Sequence, residues 1–151
     1  MREMIQVAAS FIGSLGFALL YNLRGKKLLM AGLAGMVSWM TYLAVWHQIP
    51  DVFTANLAAA AAATVYAEVM ARVLKTPVTV FLITGIIPLV PGGGLYYTMN
   101  YAIAKEWGFF SYYGQQTLLT AISIAAGIIA ASSIYGFCSA FLHYYRKYHI
   151  R

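Results

Sequence analysis

The stretch TGIIPLVPGGGLYYTMN, residues Thr84–Asn100, decides how this chain folds, because it places strong helix breakers inside a long apolar run. A proline has no backbone N–H, so Pro88 leaves the carbonyl of Thr84 without its helical partner, and Pro91 does the same to Ile87. Three glycines follow, and glycine lowers the cost of irregular backbone; they are Gly92, Gly93 and Gly94. The stretch therefore predicts a helix that is broken near its middle.

The chain as a whole is equally apolar, since 62% of its 151 residues are hydrophobic and only 9% are charged. A soluble domain of this size carries more charge on its surface. About 20 apolar residues in a helix cross the ~30 Å hydrocarbon layer of a bilayer. Five segments approach or exceed that length with at most one charged residue each: Met4–Asn22, Leu28–Trp46, Thr54–Ala71, Val78–Ala104 and Gln115–Leu142. We therefore predict an all-α integral membrane protein, a single transmembrane domain over residues 1–151 with about five spans.

The basic residues are distributed unevenly between the two sides of this arrangement. One side holds Arg24, Lys26, Lys27, Arg72, Lys75, Arg146, Lys147 and Arg151, and the other side holds Arg2 and Lys105. Because cytoplasmic connections are enriched in Lys and Arg, this bias predicts that the N-terminus is outside and the C-terminus is cytoplasmic. The net charge of +6 thus reflects topology and contact with anionic membrane lipids, and we expect no nucleic-acid partner.

The broken span, Val78–Ala104, would be about 40 Å long as a straight helix, which exceeds the hydrocarbon layer. We expect two half-helices, roughly Val78–Leu89 and Leu95–Ala104, with the break near residues 88–94 and close to the bilayer midplane. Irregular backbone at that depth is tolerated only when it is buried in protein or lines a watery cavity. The simpler alternative is a proline kink that only shapes helix packing.

The break also has the chemistry of a ligand site. The N-terminus of the second half-helix presents free N–H groups and a positive dipole end, which suit a carboxylate. The freed carbonyls of Thr84 and Ile87 could instead coordinate a cation or a substrate ammonium group. One turn further on, Tyr96, Tyr97 and Asn100 share a helix face. The candidate substrate-binding residues are Thr84, Ile87, Pro88, Pro91, Gly92, Gly93, Gly94, Tyr97 and Asn100.

Glu68 is the only acidic residue within a span. A carboxylate in apolar surroundings binds protons more tightly, which makes Glu68 a candidate for proton coupling. It also precedes Arg72 by four residues, the favourable order for a helical ion pair, so a structural role is the alternative. The sequence shows no nucleophile–base pair, paired carboxylates, cysteine cluster or metal-ligand spacing. We predict that the chain is not an enzyme and has no metal site or cofactor, and coupling to protons or another cation stays open.

Residues Ala67–Met99, AEVMARVLKTPVTVFLITGIIPLVPGGGLYYTM, resemble the signature region of the small-subunit type of the threonine/serine exporter family. The specific parts are PLVPGGG and the preceding AR-x-L-K-T-P, and the length and five spans are also similar to those subunits. The resemblance implies a subunit of a bacterial inner-membrane exporter of small amino acids or, in some members, of dicarboxylates such as succinate. It also implies a larger partner subunit with its own set of about five spans.

These observations predict a multi-pass subunit of a secondary transporter in the bacterial inner membrane that exports a small carboxylate-bearing solute, threonine or serine. The broken span would supply the substrate site, and motion between the two subunits would supply alternating access. Export of dicarboxylates is one alternative. A scaffold subunit that stabilises the partner without touching solute is another, because small residues at four-residue spacing, such as Ala59 and Ala63, form packing faces.

Overall fold

The part of the chain that the structure describes folds as six α-helices and one short 3-10 turn. The structure, a computed structural model, describes residues 1–149 and the side chains of residues 1–138, and this part of the chain contains no β-strand. The elements are α1 Arg2–Leu20, α2 Lys26–Gln48, α3 Val52–Val73, α4 Val78–Ile86, the 3-10 turn Ile87–Leu89, α5 Gly92–Ile103 and α6 Trp107–His149. The predicted all-α fold is confirmed. Arg151, one of the cations behind the predicted orientation, lies outside the described residues.

Four of these helices are long and apolar enough to cross a membrane, namely α1, α2, α3 and α6. The two shorter helices α4 and α5 pass the same test only as a pair, together with the turn between them, and their axes differ by 56° across the break. The described residues therefore provide four candidate spans, or five if the bent pair counts as one. This agrees with the predicted count of about five.

Three helices end in the same way, on a residue in the left-handed region of backbone space. The positive φ angles are 56° at Asn22, 49° at Lys75 and 58° at Lys105. In each case the next N–H reaches back over five residues to a carbonyl, as Thr76 N does to Ala71 O at 3.0 Å. This is the Schellman ending, which satisfies carbonyls that the helix itself leaves free. The sharp stops explain how the helices are joined by such short connections.

Two predicted boundaries are wrong. The stretch between the predicted spans Val78–Ala104 and Gln115–Leu142 is mostly helical, because α6 begins at Trp107 and Phe110 N already donates to Glu106 O at 3.0 Å. The second half-helix begins at Gly92 and not at Leu95, so the three glycines lie inside its first turn. The physical reason is that first-turn N–H groups are unpaired in any helix. Pro91 directly before that turn therefore removes no bond that α5 needs.

Helices α1 to α4 form a bundle, and α6 extends it by packing along α3. The 3-10 turn contacts α1, α2 and α3, whereas α5 makes its extensive contacts with α6. The buried face of α3 consists almost entirely of small residues: Ala55, Asn56, Ala59, Ala60, Ala63, Thr64, Ala67 and Ala71. Small side chains let helix backbones approach closely, which matters in lipid because the hydrophobic effect no longer draws helices together.

Helices α3 and α6 approach each other closely at Gly127. A Cβ atom added there would overlap the carbonyl oxygen of Leu57 and would lie 3.0 Å from the Cβ of Ala60. Gly127 itself is buried. The position therefore requires a glycine for steric reasons, and the α3–α6 contact depends on it.

We expect Gly127→Ala to lower the free energy of unfolding by roughly 1–3 kcal/mol, because overpacking a tight contact costs about that much. Denaturant titration in mixed micelles measures the change. Gly136→Ala is the matched control on the same helix, since a Cβ at Gly136 meets nothing within 4 Å. Equal stability of the two variants would contradict the close packing of α6 on α3.

Candidate functional site

The backbone between α4 and α5 contains the sequence-predicted site. Helix α4 ends at Ile86, the 3-10 turn follows with Pro88 in its first residues, and α5 begins after Pro91. The backbone angles of Pro91, φ −78° and ψ 56°, are not helical. The two prolines thus stand on either side of the change in helix direction. Neither proline has the backbone N–H that a continuous helix would use at its position.

The carbonyls at the end of α4 have partners within the chain. The hydroxyl of Ser14 on α1 donates to the carbonyl oxygen of Thr84 at 2.8 Å, and the hydroxyl of Ser38 on α2 donates to that of Gly85 at 2.6 Å. Both serines are fully buried. The Ile87 carbonyl accepts from Val90 N at 3.3 Å. Buried carbonyls freed by a helix break thus receive hydrogen bonds from neighbouring helices.

These serine bonds require close approach of the backbones. A Cβ atom on Gly35 of α2 would overlap the Ser14 hydroxyl, and one on Gly85 would lie 3.2 Å from the Cβ of Ala34. Thr84 itself is fully buried, and its own hydroxyl donates back to Val80 and Phe81 of α4. The Thr84 side of the break is therefore closed inside the bundle, which disfavours the predicted use of its carbonyl as a solute ligand.

The glycine side of the break is open. A Cβ atom on Gly92 or Gly93 would meet nothing within 4 Å, whereas one on Gly94 would overlap the Thr117 hydroxyl of α6. The first bond between successive turns of α5 runs from Leu95 N to Pro91 O at 3.0 Å. The N–H groups of Gly93 and Gly94 precede that bond and belong to the free first turn. The predicted helix N-terminus therefore has room in front of it.

Tyr97 lies in an aromatic cluster that joins α5 to α6. Its ring centroid is 5.2 Å from that of Tyr113 and 6.5 Å from that of Tyr101, and Tyr101 also stacks on Phe109 at 5.1 Å. The Asn100 side chain is exposed on the same helix. The predicted stripe of Tyr96, Tyr97 and Asn100 is thus present on α5, and part of it holds α5 against α6.

The structure does not gather all the predicted site residues into one enclosed cavity. Thr84 and Ile87 are part of the α1–α4 bundle, and Tyr97 and Asn100 lie on α5, none of whose residues is buried. Gly92 and Gly93 lie between the two groups. The break therefore has a closed face toward the bundle and an open face along the start of α5.

Sequence reasoning missed a second opening at the break, on the α1–α2 side. A pocket of about 280 Å³ is lined by Gln6, Ala9, Ser10, Trp39 and Pro88, and we call it the Trp39 pocket. The indole N–H of Trp39 is buried and has no hydrogen-bond partner among the described residues. The sequence does indicate that Trp39 is unusual, because tryptophans prefer membrane interfaces and Trp39 lies inside the predicted span Leu28–Trp46.

Glu68 is placed away from the break, near the end of α3. Its carboxylate is 3.7 Å from the Arg72 guanidinium, which also lies 4.4 Å above the ring of Tyr135 on α6. The predicted helical ion pair is therefore present, and Arg72 also links α3 to α6 through the ring of Tyr135. This contact favours the structural alternative for Glu68. In the portion that the structure describes, no three His, Cys, Asp or Glu side chains are grouped as metal ligands would be.

Long apolar helices, helix faces of small residues and a bent helix pair define this chain as a helical multi-pass membrane protein. A protein-family model described as "Threonine/Serine exporter, ThrE" matches residues 6–134. The chain therefore belongs to the threonine/serine exporter family, a family of transport proteins. The match includes the whole segment from Thr84 to Asn100. No curated protein and no solved structure gives a match.

We expect the double variant Ser14→Ala/Ser38→Ala to lose roughly 1–2 kcal/mol of stability, because hydrogen bonds between membrane helices contribute about 0.6 kcal/mol each on average and up to about 1.7. Unfolding in mixed micelles measures the loss. Ser133→Ala is the control, because Ser133 is exposed. If the double variant is as stable as the control, the two serines do not hold the break.

Proposed function

We propose that this chain is one subunit of a secondary transporter that exports threonine or serine across the bacterial inner membrane, together with a larger subunit of the same family. Family membership over residues 6–134 is the observation that carries the proposal. It supports export of a small amino acid as the activity. The subunit partner, the solute and the membrane are part of the proposal.

The open side of the break supports a role in solute binding. The first turn of α5 offers N–H groups and the positive end of a helix dipole, next to glycines that leave space for a ligand. A solute carboxylate fits that chemistry. Tyr97 and Asn100 lie one and two turns further along α5, with Asn100 able to donate and accept. In the proposed arrangement the partner subunit completes this open face.

The exposed face of α5 supports the existence of that partner. Helix α5 packs on α6 and leaves large side chains uncovered, with Met99 65% and Ile103 82% exposed. Contact with lipid would suit the apolar side chain of Ile103, but the same face of α5 also carries the polar groups of Tyr96 and Asn100. Polar groups inside a membrane stay next to protein or water, since lipid offers them no hydrogen bonds. Motion of the partner relative to α5 would then expose the site to each side in turn.

The charge bias supports an orientation with the N-terminus outside and the C-terminus in the cytoplasm. In the structure, Arg24, Lys26, Lys27 and Lys75 all lie at the same pair of helix connections, those between α1 and α2 and between α3 and α4. The opposite connections hold Lys105 with Asp51 and Glu106. Under the positive-inside rule the first group is cytoplasmic.

Export from cells tests the proposed activity. We expect cells loaded with threonine to release it faster only when this chain and its larger family partner are produced together, because neither half alone would enclose the solute. The measurement is the rise of external threonine and serine over time. Cells with either subunit alone are the controls, and equal rates in all strains would overturn the proposal.

The glycine opening gives a sharper test within the assembled complex. We expect Gly93→Leu to lower the export rate at least tenfold, because a Cβ at Gly93 meets nothing within 4 Å and the longer side chain would extend into the open space before α5. Gly13→Leu is the matched control, since Gly13 of α1 also has nothing within 4 Å of an added Cβ. Equal export by both variants, at equal amounts of complex in the membrane, would show that the α5 N-terminus does not bind the solute.

A further inference from the structure

Helix α6 extends past one end of the helix bundle. Gly127 lies 20 residues after the start of α6, whereas its contacts on α3, Leu57 and Ala61, lie five and nine residues after the start of α3. The two helices run in the same direction, because the later Tyr135 ring of α6 meets Arg72 near the end of α3. About the first 13 residues of α6 therefore lie beyond the start of α3, which is roughly 20 Å at 1.5 Å per residue.

The bundle has a polar end at the level where α3 begins. The Glu3 carboxylate at the start of α1 lies 2.7 Å from the His47 ring near the end of α2. Asp51 caps the start of α3, where its side chain accepts from a backbone N–H. Helices α1, α2 and α3 thus share one end, and the start of α6 projects beyond it with α5 alongside.

Helix α5 and the start of α6 are held together as a pair. The Tyr113 ring of α6 lies 5.2 Å from that of Tyr97 and 5.4 Å from that of Tyr101, measured between centroids. Stacked aromatic rings form favourable and geometrically specific contacts. We call residues 92–116 the aromatic arm, since these rings join its two helices into one unit.

The aromatic arm has few contacts with the bundle. No residue of α5 is buried, and the first buried residue of α6 is Thr117. Within the part of the chain that the structure describes, the extensive contacts of α5 are those with α6. Segments with few buried contacts are the ones that move relative to a packed core. The arm is therefore joined to the bundle mainly at its two bases, the chain before α5 and α6 itself.

Both bases of the arm have the chemistry of a hinge. On the α5 side, Pro91 is not helical, and a Cβ on either glycine of residues 92–93 would meet nothing within 4 Å. On the α6 side, the hydroxyls of Thr117 and Thr120 donate to carbonyls one turn earlier at 2.7 Å and 2.9 Å. Such bonds often bend a helix. The two bases are level, because a Cβ on Gly94 would overlap the Thr117 hydroxyl.

We propose that the aromatic arm pivots as one unit at residues 91–93 and 117–120 and acts as a gate to the open first turn of α5. The free N–H groups of that turn lie at the base of the arm, so a change in arm angle changes the space in front of Gly92 and Gly93. The role as a gate rests on the proposed function, which places the solute there. A moving part then lies within this chain and not only between the two subunits.

Pulsed electron paramagnetic resonance on the full chain in lipid nanodiscs tests the pivot. Cys138, the single cysteine, is replaced by serine, and nitroxide labels are attached at Ser111→Cys on the arm and Gln48→Cys at the polar end of the bundle. Leu20→Cys with Gln48→Cys is the matched pair within the bundle, and all three positions are exposed. We expect two distance populations for the arm pair and one narrow population for the bundle pair. Equally narrow distributions would overturn the pivot.

Stiffening the α5 base gives a second readout of the same motion. We expect Gly92→Ala to lower the minor distance population of the arm pair roughly two- to fivefold, because replacing glycine by alanine changes a backbone equilibrium by about that factor. Gly16→Ala is the control, since an added Cβ there also meets nothing within 4 Å. If both variants leave the distribution unchanged, residues 91–93 are not a hinge.

Export by the complex with its larger partner tests the gate. We expect Thr120→Ala to lower the maximal rate of threonine export roughly 2- to 30-fold, the size of effect that changes outside the ligand sites have on a conformational coupling. The half-saturating concentration should stay unchanged, because Thr120 lies on α6 and the proposed solute site on α5. Thr41→Ala is the matched control, since Thr41 of α2 makes the same bond to Val37 O at 2.9 Å. Equal maximal rates, at equal amounts of complex, would overturn the gate.

These outcomes separate the arm from the proposed function. The distance measurements need no transport, so a narrow arm distribution overturns the pivot even if the wild-type complex exports threonine, and the exporter function then stands. If the wild-type complex exports neither threonine nor serine, the proposed function is wrong and the gate with it, whereas two arm populations would still establish the pivot.

Discussion

The structure depends on one constraint, which is that a backbone carbonyl freed inside an apolar layer must find a donor. Pro88 has no N–H to offer the Thr84 carbonyl at the end of α4, and lipid cannot satisfy a freed carbonyl. The Ser14 hydroxyl of α1 donates to the Thr84 carbonyl oxygen at 2.8 Å, and the Ser38 hydroxyl of α2 donates to the adjacent Gly85 carbonyl oxygen at 2.6 Å. The break is consequently tied to α1 and α2, and its position in the bundle is set by hydrogen bonds as well as by packing.

The small residues follow from the same constraint. A serine hydroxyl is short, so it reaches a neighbouring carbonyl only if the helix backbones are close together. Gly35 and Gly85 provide that closeness, since an added Cβ would meet the Ser14 hydroxyl in one case and Ala34 in the other. The alanine face of α3 extends the close packing to α4 and α6. Without strong hydrophobic attraction between helices in lipid, such contacts supply the attraction.

Much of this fold could be predicted from local patterns, and the tertiary partners could not. Uncharged stretches predicted the membrane helices, and PLVPGGG predicted where the helix direction would change. The start of α6 at Trp107 was missed because aromatic residues next to charges resemble an interfacial loop. The partners of the Thr84 and Gly85 carbonyls were missed because Ser14 and Ser38 are 70 and 47 residues away in sequence. Nothing local distinguishes a serine that bonds its own helix from one that bonds another.

The same long-range contacts change how the site should be understood. A helix break offers free carbonyls on one side and free N–H groups on the other, and from sequence both look available to a solute. The serines occupy the carbonyl side, so the backbone groups left open at the break are the N–H donors in the first turn of α5. The bonds that stabilise the break therefore also decide which of its backbone groups stay open.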